Sequence, residues 1–292
     1  MERRELVYLL KQNPLTPLAI IMFAVLVFAA LFGSVISPHD PFASNTADAL
    51  QAPSLTYWFG TDQLGRDIFS RVLVGAQTDL GIALAAVLLA AAVGTFLGAT
   101  AGFYGGRTDA TIGRFTDIVM AFPLFVLAMA IVAALGNSVI NVVYASAIIN
   151  MPFYVRVVRS EVAVLRGAGF VEAARLSGNR NPRILWLHIM PSVMPPLVVQ
   201  MSLNMGWSML NAASLSFIGL GIRPPSPEWG IMVADGAQYI ISGQWWVAFF
   251  PGLALTLAVL CFNLLGDGLR DIIDPRQRKY LVGEGLGVRG KA

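Results

Sequence analysis

The chain has 292 residues, of which 56% are hydrophobic and only 13% are charged. Soluble globular domains carry about 25% charged residues, so the composition excludes an ordinary soluble protein and indicates lipid as the main solvent. The net charge of +3 comes from basic residues that lie between apolar stretches. That distribution is a topology signal and does not favour a nucleic-acid partner.

The first apolar stretch is predicted at 17–36, after a polar and basic segment at 1–16. A spanning helix needs about 20 mostly apolar residues. A signal peptide is the alternative, but this stretch is longer than the usual apolar core and no small-residue cleavage site follows it. We therefore expect a retained membrane helix and a cytoplasmic N-terminal segment.

The next segment, 37–79, is mostly polar, and its end predicts a short amphipathic helix at the membrane surface, within 62–80. His39, Asp62 and Asp67 could bind a cation there, although acidic residues in a surface loop are usually just solvated. The sequence therefore predicts a long polar connection outside the membrane.

The second span, predicted at 81–103, carries Gly94, Gly98 and Gly102 at every fourth position. Small residues at this spacing line one face of a helix and allow another backbone to approach closely. We expect this face to pack against a neighbouring membrane helix.

The remaining spans are predicted at 117–135, 139–158, 191–218 and 245–265, followed by a cytoplasmic tail at 277–292. Proline lacks the backbone N–H of a regular helix, so kinks are expected where prolines fall in or near these spans. The prolines concerned are Pro123, Pro152 and Pro251.

Charge distribution predicts the orientation. With six spans, all but three of the 20 Lys and Arg residues fall on the side that holds both termini, the exceptions being Arg66, Arg71 and Arg223. Cationic residues favour the cytoplasmic side. We therefore predict an all-α, multi-pass integral membrane protein of six transmembrane helices with both termini cytoplasmic.

The longest cytoplasmic loop, 159–190, predicts two short helices joined by a turn. Ala173 and Ala174 are strong helix formers with little bulk, and Gly178 suits the left-handed conformation that ends a helix. Asn181 followed by Pro182 is typical of an N-cap and the first helical position, and Pro191 precedes the fifth span. A small-faced helix of this kind is suited to a groove of another protein.

This loop resembles the EAA loop of ABC importer permeases, whose pattern is EAA, three residues, Gly, and a Pro thirteen residues later. Glu172, Ala173, Ala174, Gly178 and Pro191 match it, although His188 and Met190 stand where Ile and Leu are common. Four further stretches resemble the "C" permease subunits of the dipeptide/oligopeptide/nickel group, so that the likeness covers about 12–276. They are FGTDQLGRD at 59–67, SFIGLG at 216–221, PEWG at 227–230 and GDGLRD at 266–271.

The resemblance implies a type I ABC importer permease fold, with a transmembrane domain at 17–276, in the bacterial inner membrane. It implies that the EAA loop acts as a coupling helix on a separate ATPase. The partners it implies are two ATPase subunits carrying ATP and Mg, a second homologous permease and an extracytoplasmic solute-binding protein. The expected function is half of a translocation pathway for peptides or related small solutes, without a catalytic residue or cofactor in this chain.

The fifth span carries polar residues that fall within one sector of a helix, at about 100° per residue. Polar side chains in a membrane helix are placed toward protein or water. One interpretation is a pathway lined by amide groups, and the other is hydrogen bonding between helices, worth about 0.6 kcal/mol per contact. The residues are Gln200, Asn204, Ser208 and Asn211.

Two other functions compete with the importer subunit. A stand-alone secondary carrier should show internal repeats and charged residues in mid-membrane, and the sequence reveals neither. An intramembrane enzyme needs a nucleophile and a base, yet the only histidines, His39 and His188, are predicted on opposite sides. A near match to a phosphate-binding loop at 285–292 ends in Ala292, which has no hydroxyl for magnesium, so we expect the ATPase to be another polypeptide.

Overall fold

The computed structural model describes residues 15–273, so the predicted tail at 277–292 and nearly all of the predicted segment 1–16 lie outside the described residues. Helices build the described part, as the composition predicts. Named in chain order, they are α1 (Leu15–Ile36), α2 (Ile68–Tyr104), α3 (Gly106–Ala121), α4 (Leu124–Leu135), α5 (Val139–Leu165), α6 (Gly169–Leu176), α7 (Asn181–Phe217), α8 (Trp229–Ala237) and α9 (Trp246–Ile273).

Five of these helices, α1, α2, α5, α7 and α9, are long and apolar enough to cross a membrane. Helices α3 and α4 are long and apolar enough to cross a membrane only when taken together, and they are bent by 88° relative to each other. If the bent pair counts as one crossing, the described part has the six crossings that the sequence predicts. The all-α membrane fold is therefore confirmed.

The bundle has two ends that we name by their contents. At the basic end α2 and α5 both finish, and Arg166 Nη1 donates to the carbonyl of Phe103 at 3.3 Å. At the opposite, capped end, segments 37–67 and 218–245 fold over the helices, where Trp246 Nε1 donates to the carbonyl of Thr61 at 3.4 Å. These two ends place the functional elements described below.

Helices α2 and α5 form the most extensive helix pair in the described bundle. A Cβ added at Gly94 would lie 2.6 Å from Tyr154 Cβ, and one added at Gly98 would lie 2.6 Å from the carbonyl oxygen of Val155. Gly102 makes the same close approach to the carbonyl of Arg159. The predicted close packing along these glycines is confirmed.

The prediction of a short surface helix within 62–80 was wrong. Helix α2 begins at Ile68 and continues without a break to Tyr104. Asp67 caps it by accepting a hydrogen bond from the Ser70 backbone N–H at 2.9 Å. The polar residues of this amphipathic segment contact protein rather than water. Arg71, for example, is buried and donates to the carbonyl of Pro41 at 2.9 Å.

The third span, predicted at 117–135 with a kink expected near Pro123, is broken at that proline in the structure. Phe122 is extended, with φ −87° and ψ 145°, because a residue before proline is pushed out of the helical region. The 12 residues of α4 reach about 18 Å, less than the ~30 Å hydrocarbon core. The pair still connects the two ends of the bundle, since Asn137 Nδ2 donates to the carbonyl of Gly219 at the capped end, at 2.7 Å. Pro152 and Pro251 instead lie inside continuous helices.

Helix boundaries around the 159–190 loop also differ from the prediction. Helix α5 extends to Leu165, and the second short helix of the loop is continuous with the fifth span as α7. The N-cap of α7 is Arg180 rather than Asn181. A π-helical stretch, Ile184–Ile189, joins the first turn to the main helix, so Pro191 lies within a helix instead of starting one.

Candidate functional site

Helix α6 stands at the basic end with a buried side and an exposed side. Val171 and Ala174 are buried, whereas Glu172 and Ala173 are exposed. Glu172 lies in the first turn of α6, where the helix dipole favours a carboxylate. Two of the predicted EAA residues, Glu172 and Ala173, thus form a short exposed surface that another protein could contact, whereas Ala174 faces the inside of the protein.

The turn after α6 depends on Gly178, which has φ +79°. This is the left-handed conformation predicted from the sequence. Gly178 N–H donates to the carbonyl of Arg175 at 2.9 Å, and Asn179 closes the helix by donating from its backbone N–H and from Nδ2 to the carbonyl of Ala174, each at 3.1 Å. The turn therefore satisfies carbonyls at the end of α6 that would otherwise lack donors.

The buried side of α6 is fixed to the start of α7. Val171 and Ala174 belong to the same hydrophobic cluster as Ile184, Leu185 and Ile189, the buried residues of the π-helical stretch. Helix α6 is therefore packed against the first part of a helix that continues to the capped end.

Pro191 lies exposed at the second position of the regular part of α7. It is followed by Pro195 and Pro196, so three backbone N–H donors are missing within two turns. Met190 N–H reaches back to the carbonyl of Leu185, the spacing of a π-turn. This part of α7 therefore has fewer backbone hydrogen bonds than a regular helix.

The polar residues predicted on the fifth span share one sector of α7, but they are placed differently. Asn204, Ser208 and Asn211 are buried, and Gln200 is half-buried. Gln200 Nε2 donates to Asn204 Oδ1 at 3.2 Å, and Asn150 Nδ2 on α5 donates to Ser208 Oγ at 3.4 Å. The structure therefore shows the helix-to-helix bonding of one interpretation at Ser208, while a pathway role for the four residues stays a prediction.

A groove of about 630 Å³ opens beside Asn211, between α7, α8, α9 and the start of α4. Trp207, 47% exposed, lines it together with Asn211. Asn211 Nδ2 is buried and has no hydrogen-bond partner within residues 15–273. The other lining residues are uncharged: Phe125, Leu210, Ala213, Ser214, Phe217, Ile218, Gly230, Val233, Gly252, Leu255 and Thr256.

The sequence reasoning missed a pair of buried carboxyl groups, since it placed Asp79 at the end of the mostly polar segment 37–79. Asp79 and Glu228 are 1% and 0% exposed, and their carboxyl groups hydrogen-bond to each other. Asp79 Oδ2 also accepts from the Trp229 N–H at 3.1 Å, and Glu228 accepts from the N–H groups of Gly230 and Ile231 at 2.8 Å each. Burial raises the pKa of Glu228 above its ordinary value of 4.5, because a low-dielectric site disfavours the charged form.

The capped end is held by buried ion pairs in the predicted polar connection. Asp62 Oδ2 pairs with Arg66 Nε at 2.6 Å and lies 3.7 Å from Arg71 Nε, while Asp67 caps α2. The expectation that these acids are solvated was wrong, because both are buried. The contacts of the stretch 59–67 thus fix the connection 37–67 to α2 and α9.

Comparison with known proteins agrees with this architecture. Residues 94–279 match the family described as the binding-protein-dependent transport system inner membrane component. Residues 4–53 match the N-terminal TM domain of oligopeptide transport permease C.

Relatives match along nearly their full length. The chain is 44% identical to the probable D,D-dipeptide transport system permease protein DdpC of Escherichia coli, over 93% of this chain and 91% of that protein. It is 44% identical to the dipeptide transport system permease protein DppC of Alkalihalophilus pseudofirmus, over 94% and 90%. It is 46% identical to the glutathione transport system permease protein GsiD of Escherichia coli, over 88% and 85%.

A solved structure shares the fold. A chain of the MetNI methionine ABC transporter, in an inward facing conformation, superposes with a TM-score of 0.56. The match covers 70% of this chain and 97% of that chain at 17% identity, which speaks to the fold alone.

Proposed function

The chain belongs to the family of binding-protein-dependent transport system inner membrane components, and from that membership we propose that α6 couples it to a separate ATPase. It is a permease subunit of an ABC importer, a transport subunit rather than an enzyme. It is a multi-pass protein of the bacterial inner membrane. The stand-alone carrier considered from the sequence is wrong, since the relatives are ABC transport permeases.

The proposed coupling rests on one observation: the exposed Glu172–Ala173 surface is attached through Val171 and Ala174 to the start of α7. An ATPase that closes on binding ATP moves α6, and α6 moves α7 with it. The proline-containing turns after Pro191 then let the spanning part of α7 change its angle. Access to the pathway alternates between the two sides as a result.

The complex that this mechanism requires has two ATPase subunits carrying ATP and Mg, a second homologous permease and an extracytoplasmic solute-binding protein. The basic end, with α6, faces the cytoplasm together with both termini, and the capped end faces outward. Support for this orientation comes from the cationic residues gathered at the basic end, in α3, α5, α6 and the start of α7.

The proposed pathway runs past the groove beside Trp207 and Asn211, with the second permease subunit closing its open side. Its uncharged lining gives a solute few strong attachment points, which suits passage rather than retention. Relatives are named for D,D-dipeptide, dipeptide and glutathione transport, and we place the solute of this subunit in the same class of small peptides.

A single-cysteine experiment tests coupling and orientation together. The one native cysteine, Cys261, is buried, so Ala173→Cys introduces one exposed thiol on α6. We expect a bifunctional thiol reagent to cross-link Ala173→Cys to the co-expressed ATPase, and a membrane-impermeant maleimide to label it only after cells are permeabilised. Leu55→Cys, whose parent residue is 98% exposed at the capped end, is the matched control.

The control should behave in the opposite way, with labelling in intact cells and no cross-link to the ATPase. Labelling of Ala173→Cys from outside would overturn the orientation. Glu172→Lys should lower ATP-dependent peptide uptake in vesicles while leaving membrane insertion unchanged, because it reverses the charge of the docking surface. Normal uptake by that variant would overturn the coupling role of α6.

A further inference from the structure

A second cavity lies at the basic end, away from the groove and from α6. It has a volume of about 280 Å³, close to the space of roughly nine water molecules, and separates the ends of α2, α3 and α5. Three arginines line it, Arg156, Arg159 and Arg166, with Asp109 as the one acidic residue among the described lining. The remaining lining residues are Ala101, Gly102, Gly105, Ser160 and Ala163. We name it the arginine cleft.

The arginines of the cleft keep hydrogen-bonding capacity beyond their contacts within the chain. Arg159 pairs with Asp109 through Nε and Nη2, Arg156 Nη2 pairs with Asp117 at 3.1 Å, and Arg166 Nη1 donates to the carbonyl of Phe103. A guanidinium carries five N–H donors, so each arginine retains donors for another acceptor. The Arg156 and Arg159 side chains are 51% and 46% exposed and reach the open side of the cleft.

Charge in the cleft favours an anion. Two carboxylates, Asp109 and Asp117, face three guanidinium groups, which leaves one positive charge uncompensated. Guanidinium groups bind phosphate oxygens in a bidentate manner, and such charge-assisted hydrogen bonds are about twice as strong as neutral ones. A phosphate group therefore fits both the charge and the donor geometry.

The surroundings of the cleft place it at the membrane surface. Tyr104, at the end of α2, is 49% exposed, and exposed tyrosines are enriched at the level of lipid headgroups. The neighbouring helix α3 exposes Phe115 and Ile118, at 51% and 62%, and bends away from α4 at 88°. Apolar side chains beside a basic cleft offer a surface for acyl chains, which a soluble phosphate would not need.

From these observations we propose that the arginine cleft binds the phosphate of an anionic phospholipid, with its acyl chains lying along α3. Basic pockets between membrane helices bind acidic headgroups by the same chemistry. The site is independent of the proposed coupling role of α6, since Glu172 and Gly178 do not line it.

The test is lipid retention by the full chain in nanodiscs of phosphatidylcholine and phosphatidylglycerol, measured by native mass spectrometry. We expect wild type to retain phosphatidylglycerol selectively, and the Arg159→Gln/Arg166→Gln double variant to retain at least about tenfold less. Arg114→Gln removes one positive charge, against two in the double variant, from an exposed position on α3 outside the cleft and should retain phosphatidylglycerol as wild type does.

Asp109→Asn gives a change of the opposite sign, which a purely structural role would not produce. It frees Arg159 from its carboxylate partner and should increase phosphatidylglycerol retention. It also guards against misfolding, because a gain in binding requires a folded site.

Three outcomes would overturn the assignment. One is equal phosphatidylglycerol retention by the double variant and Arg114→Gln. Another is saturable binding of inorganic phosphate in phosphatidylcholine nanodiscs, lost in the double variant, without retention of phosphatidylglycerol, which would make the ligand a soluble anion. The last is a double variant that retains phosphatidylglycerol as wild type does but loses the co-purifying ATPase, which would make the cleft a protein-docking surface.

Discussion

Gly178 is needed for its backbone conformation and not for space. Its φ is +79°, and nothing lies within 4 Å of a Cβ added there. An L-residue in the left-handed region costs about 1–2 kcal/mol, with asparagine the mildest exception. The same backbone position fixes where α6 ends and therefore where Glu172 and Ala173 point. A change at Gly178 should act on coupling more than on folding.

We predict that Gly178→Val lowers ATP-dependent peptide uptake in reconstituted vesicles by about tenfold or more, with normal membrane insertion. A β-branched residue tolerates positive φ poorly, so the end of α6 shifts. Gly178→Asn is the matched control and should retain most of the uptake, because asparagine visits this conformation. Equal loss in both variants would point to crowding against the ATPase instead of backbone strain.

Helix α8 is an element held in place by two buried carboxyl groups. Glu228 caps its N-terminus through two backbone N–H groups and hydrogen-bonds to Asp79 on α2. A hydrogen bond between two carboxyl groups requires that one of them carries a proton. Since α8 also borders the groove through Gly230 and Val233, this proton helps to fix one wall of the proposed pathway.

The stability of the protein should therefore fall as pH rises through the raised pKa of Glu228. The folded pair binds a proton that the unfolded chain releases above about its ordinary pKa of 4.5, and stability decreases wherever the folded state binds more protons. The contribution is present at low pH and is lost with a slope of at most ~1.4 kcal/mol per pH unit. Thermal unfolding in detergent from pH 5 to 9 measures it.

Glu228→Gln removes one of the two buried carboxyl groups and keeps a single amide oxygen for the cap, so one of the two cap hydrogen bonds made by Oε1 and Oε2 is lost. Its melting temperature should fall less with pH than that of wild type. Asp40→Asn, an exposed cap of the Phe42 N–H, should follow the wild-type curve. Parallel curves for wild type and Glu228→Gln would show that the pair carries no shared proton.

The groove beside Asn211 exists only where α4, α7, α8 and α9 come together. Asn204 and Asn211 are both buried on the same sector of α7 and would look equivalent in the sequence. Of the two, Asn211 lines the groove and Asn204 does not. Asn204 Oδ1 accepts a hydrogen bond from Gln200, while the Nδ2 atoms of both asparagines lack a partner within residues 15–273. The tertiary arrangement thus separates a residue that can meet a solute from one that packs within the subunit.

We predict that Asn211→Ala changes the ratio of uptake rates between peptides by up to about tenfold, with little loss of stability. An unpaired amide that meets the solute contributes on the order of one hydrogen bond, and ~1.4 kcal/mol is a factor of ten. Asn204→Ala should leave that ratio unchanged and lower the melting temperature slightly, in keeping with ~0.6 kcal/mol for a bond between membrane helices. Competition uptake of two labelled peptides in vesicles gives the ratio, and identical ratios in wild type and Asn211→Ala would remove the groove from the pathway.

The amino-acid sequence determined the features that depend on local composition and short spacing. Apolar stretches of about 20 residues predicted the membrane class, Gly98 and its fourth-position neighbours predicted the tight α2–α5 contact, and Gly178 predicted the left-handed end of α6. These properties are set by the solvent, the period of a helix or the freedom of one residue. They hold whatever the rest of the chain does.

Only the tertiary structure decided the features that join distant residues. Asp79 meets the Trp229 N–H, 150 positions away, so its burial is invisible in its own segment. A span is broken at Pro123, with a bend of 88°, whereas Pro152 and Pro251 lie in continuous helices, so the presence of a proline does not by itself decide where a span breaks. The groove and the arginine cleft each need at least three elements. Packing selects which local preferences are realised, because each of these sites is stabilised by partners that no short stretch of sequence contains.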